Sequence, residues 1–348
     1  VAKPKQPEIL KTVAGEWADD KTDHEKNIEL FDSRYKSYRG LIQARSEAMG
    51  WTPKFHPAYV WQSIETMVSS LTDPNPHWRL RVHPQQASAE QEQQLLSGAE
   101  ANETLLRHQL TIDHWAEKQR PFDLQGLVMG ITAAKQSWNY REGPKRSWQN
   151  YDQPVINDFG DQVGAVRRQI EAEQTMVLRD DPTSEVVDVR HLIFQRGATS
   201  LETSDRVTHR IYMSFDDLKR RECKLGHAGH QGPCEPGKYY HDVDMLKDSQ
   251  GVPPDRFERE QEEFGDRPHR DDIELLETWR REGDQLRCIV RDSDHKVLLT
   301  DRLSPYWFDH LDHPFPFVVC SGAPDLFRIP GISETEMMSE LQEMLWTI

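Results

Sequence analysis

Phe315-Pro316-Phe317-Val318-Val319, the turn Pro330-Gly331-Ile332-Ser333, and the run from Glu334 to Ile348 decide how this chain is read. The first stretch is apolar, aromatic and β-branched, as a buried strand requires. The second is a Pro/Gly turn. Ser333 with Glu336 three residues on forms a capping box, so Ser333 is expected as the N-cap of a helix. Met337, Met338, Leu341, Met344, Leu345 and Ile348 then recur at three- and four-residue steps, giving one apolar stripe. No Gly, Asn or Pro closes that helix. The stripe is therefore expected to face something outside the sequence, and the chain to be a fragment. Val1, which is not an initiator Met, points the same way.

The 348 residues suffice for about two domains. Hydrophobic residues make up 36%, few for one compact globule, yet ten Trp and twelve Phe can still build cores. A large, wet surface follows, as in an elongated subunit of an assembly. Lys plus Arg is 43 against 59 Asp plus Glu, a net charge of −16. That balance argues against tight, non-specific nucleic-acid binding, which needs cations to displace counterions. A surface past which DNA slides without sticking is compatible with it. No run approaches the roughly 20 apolar residues that span a bilayer, and no signal peptide is visible. Four Cys in a chain this long make no disulfide framework, so the cell interior is the expected compartment.

Upstream, residues 23–49 read as an amphipathic helix with Ile28, Phe31, Tyr35, Tyr38 and Ile42 on one side. Pro57 opens a second helix, striped by Val60, Trp61, Ile64, Met67, Val68 and Leu71. Trp78 to Val82 alternates like a short strand. A polar helix runs from Ser88 to about Lys118, with Leu95, Ala99, Leu105, Leu106, Leu110 and Trp115 as its buried side. Helix is expected again from Leu124 to Ala133, turning into strand over Ala134–Tyr140. Residues 141–174 lose periodicity, as in a flexible excursion or hairpin. Strands are predicted over 175–178, 186–194 and 206–212, with Ser214 capping a helix whose first turn holds Asp216 and Asp217. Asp255 to Phe264 is a very acidic helical stretch. Paired strands over 273–280 and 286–300 turn at Asp292-Ser293-Asp294-His295.

The strings of the common catalytic sites are missing: no phosphate-binding loop, no strand-borne G-x-G-x-x-G, no G-x-S-x-G, no H-E-x-x-H. One string has metal-ligand character, Cys223-x3-His227-x2-His230-x3-Cys234, with His241 as a substitute. Thiolates and imidazoles suit tetrahedral zinc, and four protein ligands would make the site structural. The plain alternative is a surface loop with two His and two reduced Cys. Cys288 and Cys320, in apolar strands, read as core thiols. The acidic groups Asp271-Asp272, Asp242/Asp244 and Glu258 to Glu263 invite a divalent-metal nuclease, which needs carboxylates converging from separate elements. A solvated helix surface explains the last group better. Lys219-Arg220-Arg221, Arg167-Arg168 and Arg280-Arg281 are too short for a nucleic-acid patch and are expected to pair with nearby acids. Trp51, Trp61, Trp115 and Trp138 read as core.

The order of these features carries more than any one of them. It runs Pro57-x2-Val60-x3-Ile64-Glu65-x5-Leu71, a strand after Pro76, two helices and Ala134-x-Gln136-Ser137-Trp138. Val187-Asp188-Val189, Arg206-Val207-x-His209-Arg210 with Ser214-x2-Asp217-Leu218, and Gly237-Lys238-Tyr239 follow. Leu276-Glu277-x-Trp279, His313-Pro314-Phe315-Pro316-Phe317 and Gly331-Ile332-Ser333 with Leu341-Gln342 complete it. Over most of residues 50–348 this order resembles the portal (head-to-tail connector) proteins of tailed double-stranded DNA bacteriophages. The chain departs from the usual pattern at Phe194-Gln195, where many such proteins carry Asp-Pro, and in its Cys/His insertion.

The resemblance implies an α+β portal fold: a helix-rich wing over 1–252, a first stem helix over 253–270, a β-containing clip over 271–331, and the start of a second stem helix over 332–348. It implies a homo-oligomeric, dodecameric ring at one capsid vertex, in the virion after assembly in the host cytoplasm. Such a ring docks the terminase large subunit, meets head-completion or adaptor and major capsid or scaffolding proteins, and passes double-stranded DNA in packaging and ejection. It is no enzyme, binds no membrane and needs no cofactor. On this plan Met337, Met338, Leu341, Met344 and Leu345 form the stem face between subunits. The competing readings are a zinc-dependent hydrolase or nuclease, and an adaptor stabilised by zinc on the Cys/His loop.

Overall fold

The computed structural model describes residues 8–40, 59–72, 89–156, 162–224, 234, 237–247, 271–283, 285–304 and 315–347. The fold is α+β. The described chain forms two compact units, one of residues 1–137 with 184–348 and one of 138–183.

The first unit opens with α1 (Glu8–Tyr38). It begins well before the predicted residue 23: Leu10 and Val13 are buried in its first turns, and farther along polar side chains take over the inward row. Asp20 accepts from Arg206 Nε at 2.7 Å and from the Arg196 backbone N–H at 2.9 Å. Phe31 and Tyr38 are buried as expected, and Tyr35 packs beside them; Ile42 lies outside the described residues. In α2 (Tyr59–Leu71), Val60, Ile64 and Val68 enter the core at four-residue steps. Trp61, Met67 and Leu71, expected beside them, lie on flanking rows and are exposed.

The polar helix expected to Lys118 is two helices, α3 (Ala89–Ile112) and α4 (Trp115–Met129). His114, at φ 54°, breaks the run. Asp113 holds the junction, accepting from Lys118 Nζ at 2.7 Å and the Ser184 N–H at 2.9 Å. None of the predicted buried residues of α3 is buried, and Leu95 and Leu105 are exposed. Helix was expected to Ala133, but α4 ends at Gly130, whose φ of 75° closes the last turn through a bond from its N–H to Gly126 O. Ala133 is instead in strand β1.

Strands β1 (Thr132–Ile156) and β2 (Gln162–Val187) form the hairpin that the fading periodicity allowed. Their distal parts are the second unit, where Trp138 Nε1 donates to Asp180 Oδ1 at 2.7 Å. Trp138 is exposed, not core. At the base, β8 (Phe317–Cys320) pairs antiparallel with β1, Thr132 opposite Cys320 and Lys135 opposite Phe317, in the order β2-β1-β8.

The second sheet has the order β3-β4-β5-β6-β7 and is antiparallel throughout. Its strands are β3 (Leu192–Phe194), β4 (Arg206–Met213), β5 (Ile273–Glu282), β6 (Gln285–Asp292) and β7 (Leu298–Leu303). The single strand predicted over 186–194 is interrupted: β2 ends at Val187 and a 3-10 turn, Val189–His191, precedes β3. Asp188 caps that turn through the Arg190 N–H, a local bond that competes with the ladder. Ser214 caps α5 (Phe215–Arg220) as predicted, accepting from the Asp217 N–H. Asp292 folds the β6–β7 turn by accepting the N–H groups of Lys296 and Val297, each at 2.8 Å.

The β4–β5 ladder, from Arg206↔Arg280 to Met213↔Ile273, joins residues assigned by resemblance to the wing with residues assigned to the clip. The expected stem helix 253–270 and strand 78–82 lie outside the described residues, as do Pro57 and Trp51. Helix α6 (Glu334–Thr347) ends the described chain. Among the described residues no helix is long and apolar enough to cross a membrane.

Candidate functional site

Helix α6 starts where the sequence places it. The Glu336 N–H donates to Ser333 Oγ at 3.0 Å, the first half of a capping box. The Glu336 carboxylate goes elsewhere: it pairs with Arg34 of α1. Arg34 is 3% exposed, and its Nη1 also donates to Met129 O, the last carbonyl of α4. Burial pushes the Arg34 guanidinium below its ordinary value, and Glu336 opposes that shift. One guanidinium thus ties α6 to two other helices.

The inner face of α6 is mostly polar. Ser333, Thr335 and Gln342 are 0%, 0% and 1% exposed. Gln342 accepts the Val60 N–H at 3.0 Å and donates to Ser37 O at 3.3 Å, so it meets both the start of α2 and the end of α1. Met338 packs between these polar residues, against the core. The outer face carries an apolar row, Met337, Leu341, Met344 and Leu345, which are 48%, 59%, 59% and 54% exposed, with exposed Glu340 beside it. An ordinary surface helix has the opposite arrangement. Of the five residues predicted to lie together on one face, four are exposed together; Met338 turns inward, one position off the outer row.

The Cys/His string is only partly brought together. Cys223 and Cys234 are joined as a disulfide, with Cα atoms 6.0 Å apart. His227 and His230 lie outside the described residues. His241 is beside the pair, the three donor atoms lying within 4.8 Å of one another. The expected reduced thiols are a correction: the two sulfurs are bonded, and the Cys223 N–H donates to Tyr240 O at 2.7 Å, which places Cys223 beside the segment that follows Cys234. In the disulfide, neither sulfur is a thiolate, and the predicted zinc set cannot act as one. Among the described residues, Cys223, Cys234 and His241 are the one such group of three donors, and no three carboxylates converge as a nuclease would need.

Of the basic knots, Lys219, Arg220 and Arg280 pair with acids as expected. Lys219 binds Glu222 at 3.0 Å and Asp244 at 2.7 Å, Arg220 pairs with Asp217, and Arg280 reaches Glu16 at 2.9 Å. The side chains of Arg167 and Arg168 lie outside the description. Cys288 is a buried core thiol, pushed up by burial. Cys320, expected to match it, is exposed because β8 turns that position outward.

Sequence reasoning missed a buried charged cluster where the two sheets meet. Lys135 of β1 pairs with Glu277 of β5, and His209 Nδ1 of β4 lies 3.6 Å from the same carboxylate. Burial alone would raise Glu277, but Lys135 and His209 outweigh it and hold it at about 2. Burial pushes His209 down. The cluster is a lock between sheets, its three side chains only 11–13% exposed. Alternation in β4 and β5 could have flagged it, since His209 and Glu277 fall on core-facing positions.

No protein-family model matches this chain, and no curated protein matches it.

Proposed function

We propose that this chain is a subunit of a phage portal: a non-catalytic ring at the capsid vertex through which the genome is packaged and ejected. The observation that carries the reading is the outer face of α6. A helix with Gln342 and Thr335 buried and Leu341 and Leu345 exposed is built to be covered on its outside. Covering a half-exposed Leu or Met returns on the order of 1 kcal/mol, so Met337, Leu341 and Leu345 offer a few kcal/mol at each subunit contact. The occupant that suits it is an identical chain, as in a head-to-tail interface that closes into a ring. The order of elements, and a net charge of −16 that lets DNA pass without being held, favour the same reading.

On this reading α6 is a stem helix, and the terminase large subunit, head-completion proteins and capsid or scaffolding proteins are the partners of the assembled ring. Negative-stain electron micrographs of the intact polypeptide test it. Closed rings with a central hole are expected, with single particles from Leu341→Asp. Single particles from the unaltered chain, or normal rings from Leu341→Asp, reject it.

A further inference from the structure

We propose that Cys223, Cys234 and His241 form a three-ligand site for a thiophilic divalent cation of the zinc class, opened by reduction of the disulfide and closed by its formation. The proposal is independent of the assembly reading. Two sulfurs and one imidazole nitrogen already lie within 4.8 Å of one another, and Cys223 and His241 are 5% and 4% exposed. A soft donor set of two thiolates and one imidazole selects zinc-like ions over magnesium or calcium.

Local structure holds two ligands before any ion arrives. Cys223 follows α5, and its N–H donates to Tyr240 O at 2.7 Å. His241, the next residue, is pinned to the second sheet by its N–H bond to Leu299 O at 2.8 Å. Glu222 and Tyr240 form a parallel bridge one step earlier on each segment. Cys223 and His241 are therefore fixed relative to each other by backbone bonds. Cys234 supplies the third donor atom, already within 4.8 Å of the other two, so its sulfur exchanges an S–S bond for metal ligation at the same place. Three protein donors leave one tetrahedral position for water or a further ligand.

The two states exclude each other because they need the same sulfurs. Oxidation runs through thiolate attack on a low-molecular-weight disulfide, giving a mixed disulfide that the second thiolate resolves. The protein pair loses two electrons and two protons, and the small disulfide becomes two small thiols. Excess small thiol reverses the exchange. Cation binding instead releases the thiol protons and leaves the sulfur oxidation state unchanged. Reduction therefore loads the ion, and oxidation expels it.

The test titrates cobalt(II), then zinc(II), into the intact chain kept oxidised or reduced with a phosphine. The reduced chain should bind a single cobalt with a thiolate-to-metal charge-transfer band that zinc abolishes; the oxidised chain should show no band. Loss of even an outer-shell group commonly weakens a metal about tenfold or more, so His241→Ala should weaken it by at least that. A paired His227→Ala, His230→Ala variant should keep the band. Cys234→Ser, which does not disturb the buried ligands, should abolish it while the far-ultraviolet dichroism stays unchanged. No band in the reduced chain, an equal band in the oxidised chain, or a band surviving Cys234→Ser would overturn the proposal. So would a band lost in the His227/His230 variant but kept in His241→Ala.

Discussion

Gln342 binds Val60 across 282 positions of sequence, its side-chain oxygen accepting the Val60 N–H at 3.0 Å in a site closed to solvent. That N–H belongs to the first turn of α2, where helices leave donors unmet. The same side chain donates to Ser37 O. A polar residue therefore occupies the place on α6 where a Leu would normally pack.

Gln342→Leu keeps the volume but strands both backbone groups. A cost of about 1–3 kcal/mol is expected from the unmet donor and acceptor. Urea unfolding should show a lower midpoint with an unchanged slope; an unchanged midpoint would mean water or a neighbour replaces the amide.

Glu336→Ala removes the partner of a guanidinium that stays buried, whereas Arg34→Met leaves a carboxylate that is 42% exposed and can hydrate. Breaking a buried pair costs about 3–5 kcal/mol when the remaining charge is trapped, and less when it reaches water. Glu336→Ala should therefore destabilise through charge and Arg34→Met mainly through lost bonds. Urea unfolding should show the larger loss for Glu336→Ala, with little response to added salt because the stranded guanidinium is buried. Equal losses in both variants would contradict this account.

Gly130 and Gly331 cross at one point: the Gly331 N–H donates to Gly130 O at 3.2 Å, and Ser321 Oγ donates to the same oxygen at 2.8 Å. A Cβ on Gly331 would overlap Ser321 Oγ and Ala323 O, and one on Gly130 would sit 2.5 Å from Gly331 O. Backbone must move in either case. Gly331→Ala should cost more than about 2 kcal/mol, read as a fall in thermal midpoint.

His24 is buried, its Nε2 is 2.6 Å from Arg190 O, and burial with Arg210 lowers its pKa to about 4. Below its ordinary value of 6.5 the unfolded chain takes up a proton that the fold refuses. Stability is thus full above about pH 6.5 and falls by on the order of 3 kcal/mol toward pH 4. Glu277, held at about 2 against 4.5, adds stability above about pH 4.5 that is lost as pH falls toward 2. His24→Gln should make the pH 6.5 to 4 limb shallower in urea titrations, the rest of it coming from His209 and His295, which are also lowered, and should leave the lower limb; an unaltered upper limb would remove His24 as a source.

Periodicity exposed those parts of the fold that bury apolar rows. The Val60, Ile64, Val68 row, the Ser333 and Ser214 caps and strand β4 were all readable, because each depends on neighbours in sequence. The first half of α1 was not, since Asp20 and His24 bury polar groups whose partners lie in β4 and near Arg190. The break at His114 was hidden too: a left-handed residue without Gly carries little local signal. For the candidate site, the apolar stripe after Ser333 and its outward direction were plain, but the inward turn of Met338 and the polar inner face were not. The contacts of Gln342 with Val60 and of Arg34 with Glu336, which hold the inner side, join residues far apart in sequence. His241 was named as a substitute ligand, and its approach to Cys223 and Cys234 came from a backbone bridge no spacing rule encodes.

Native mass spectrometry of the intact polypeptide beside Leu341→Asp and Leu345→Asp measures the role of the α6 outer face most directly. A single closed oligomer from the unaltered chain and folded monomers from both variants are expected. The same oligomer from all three, or folded monomers from all three, would contradict the claim that this face joins identical subunits.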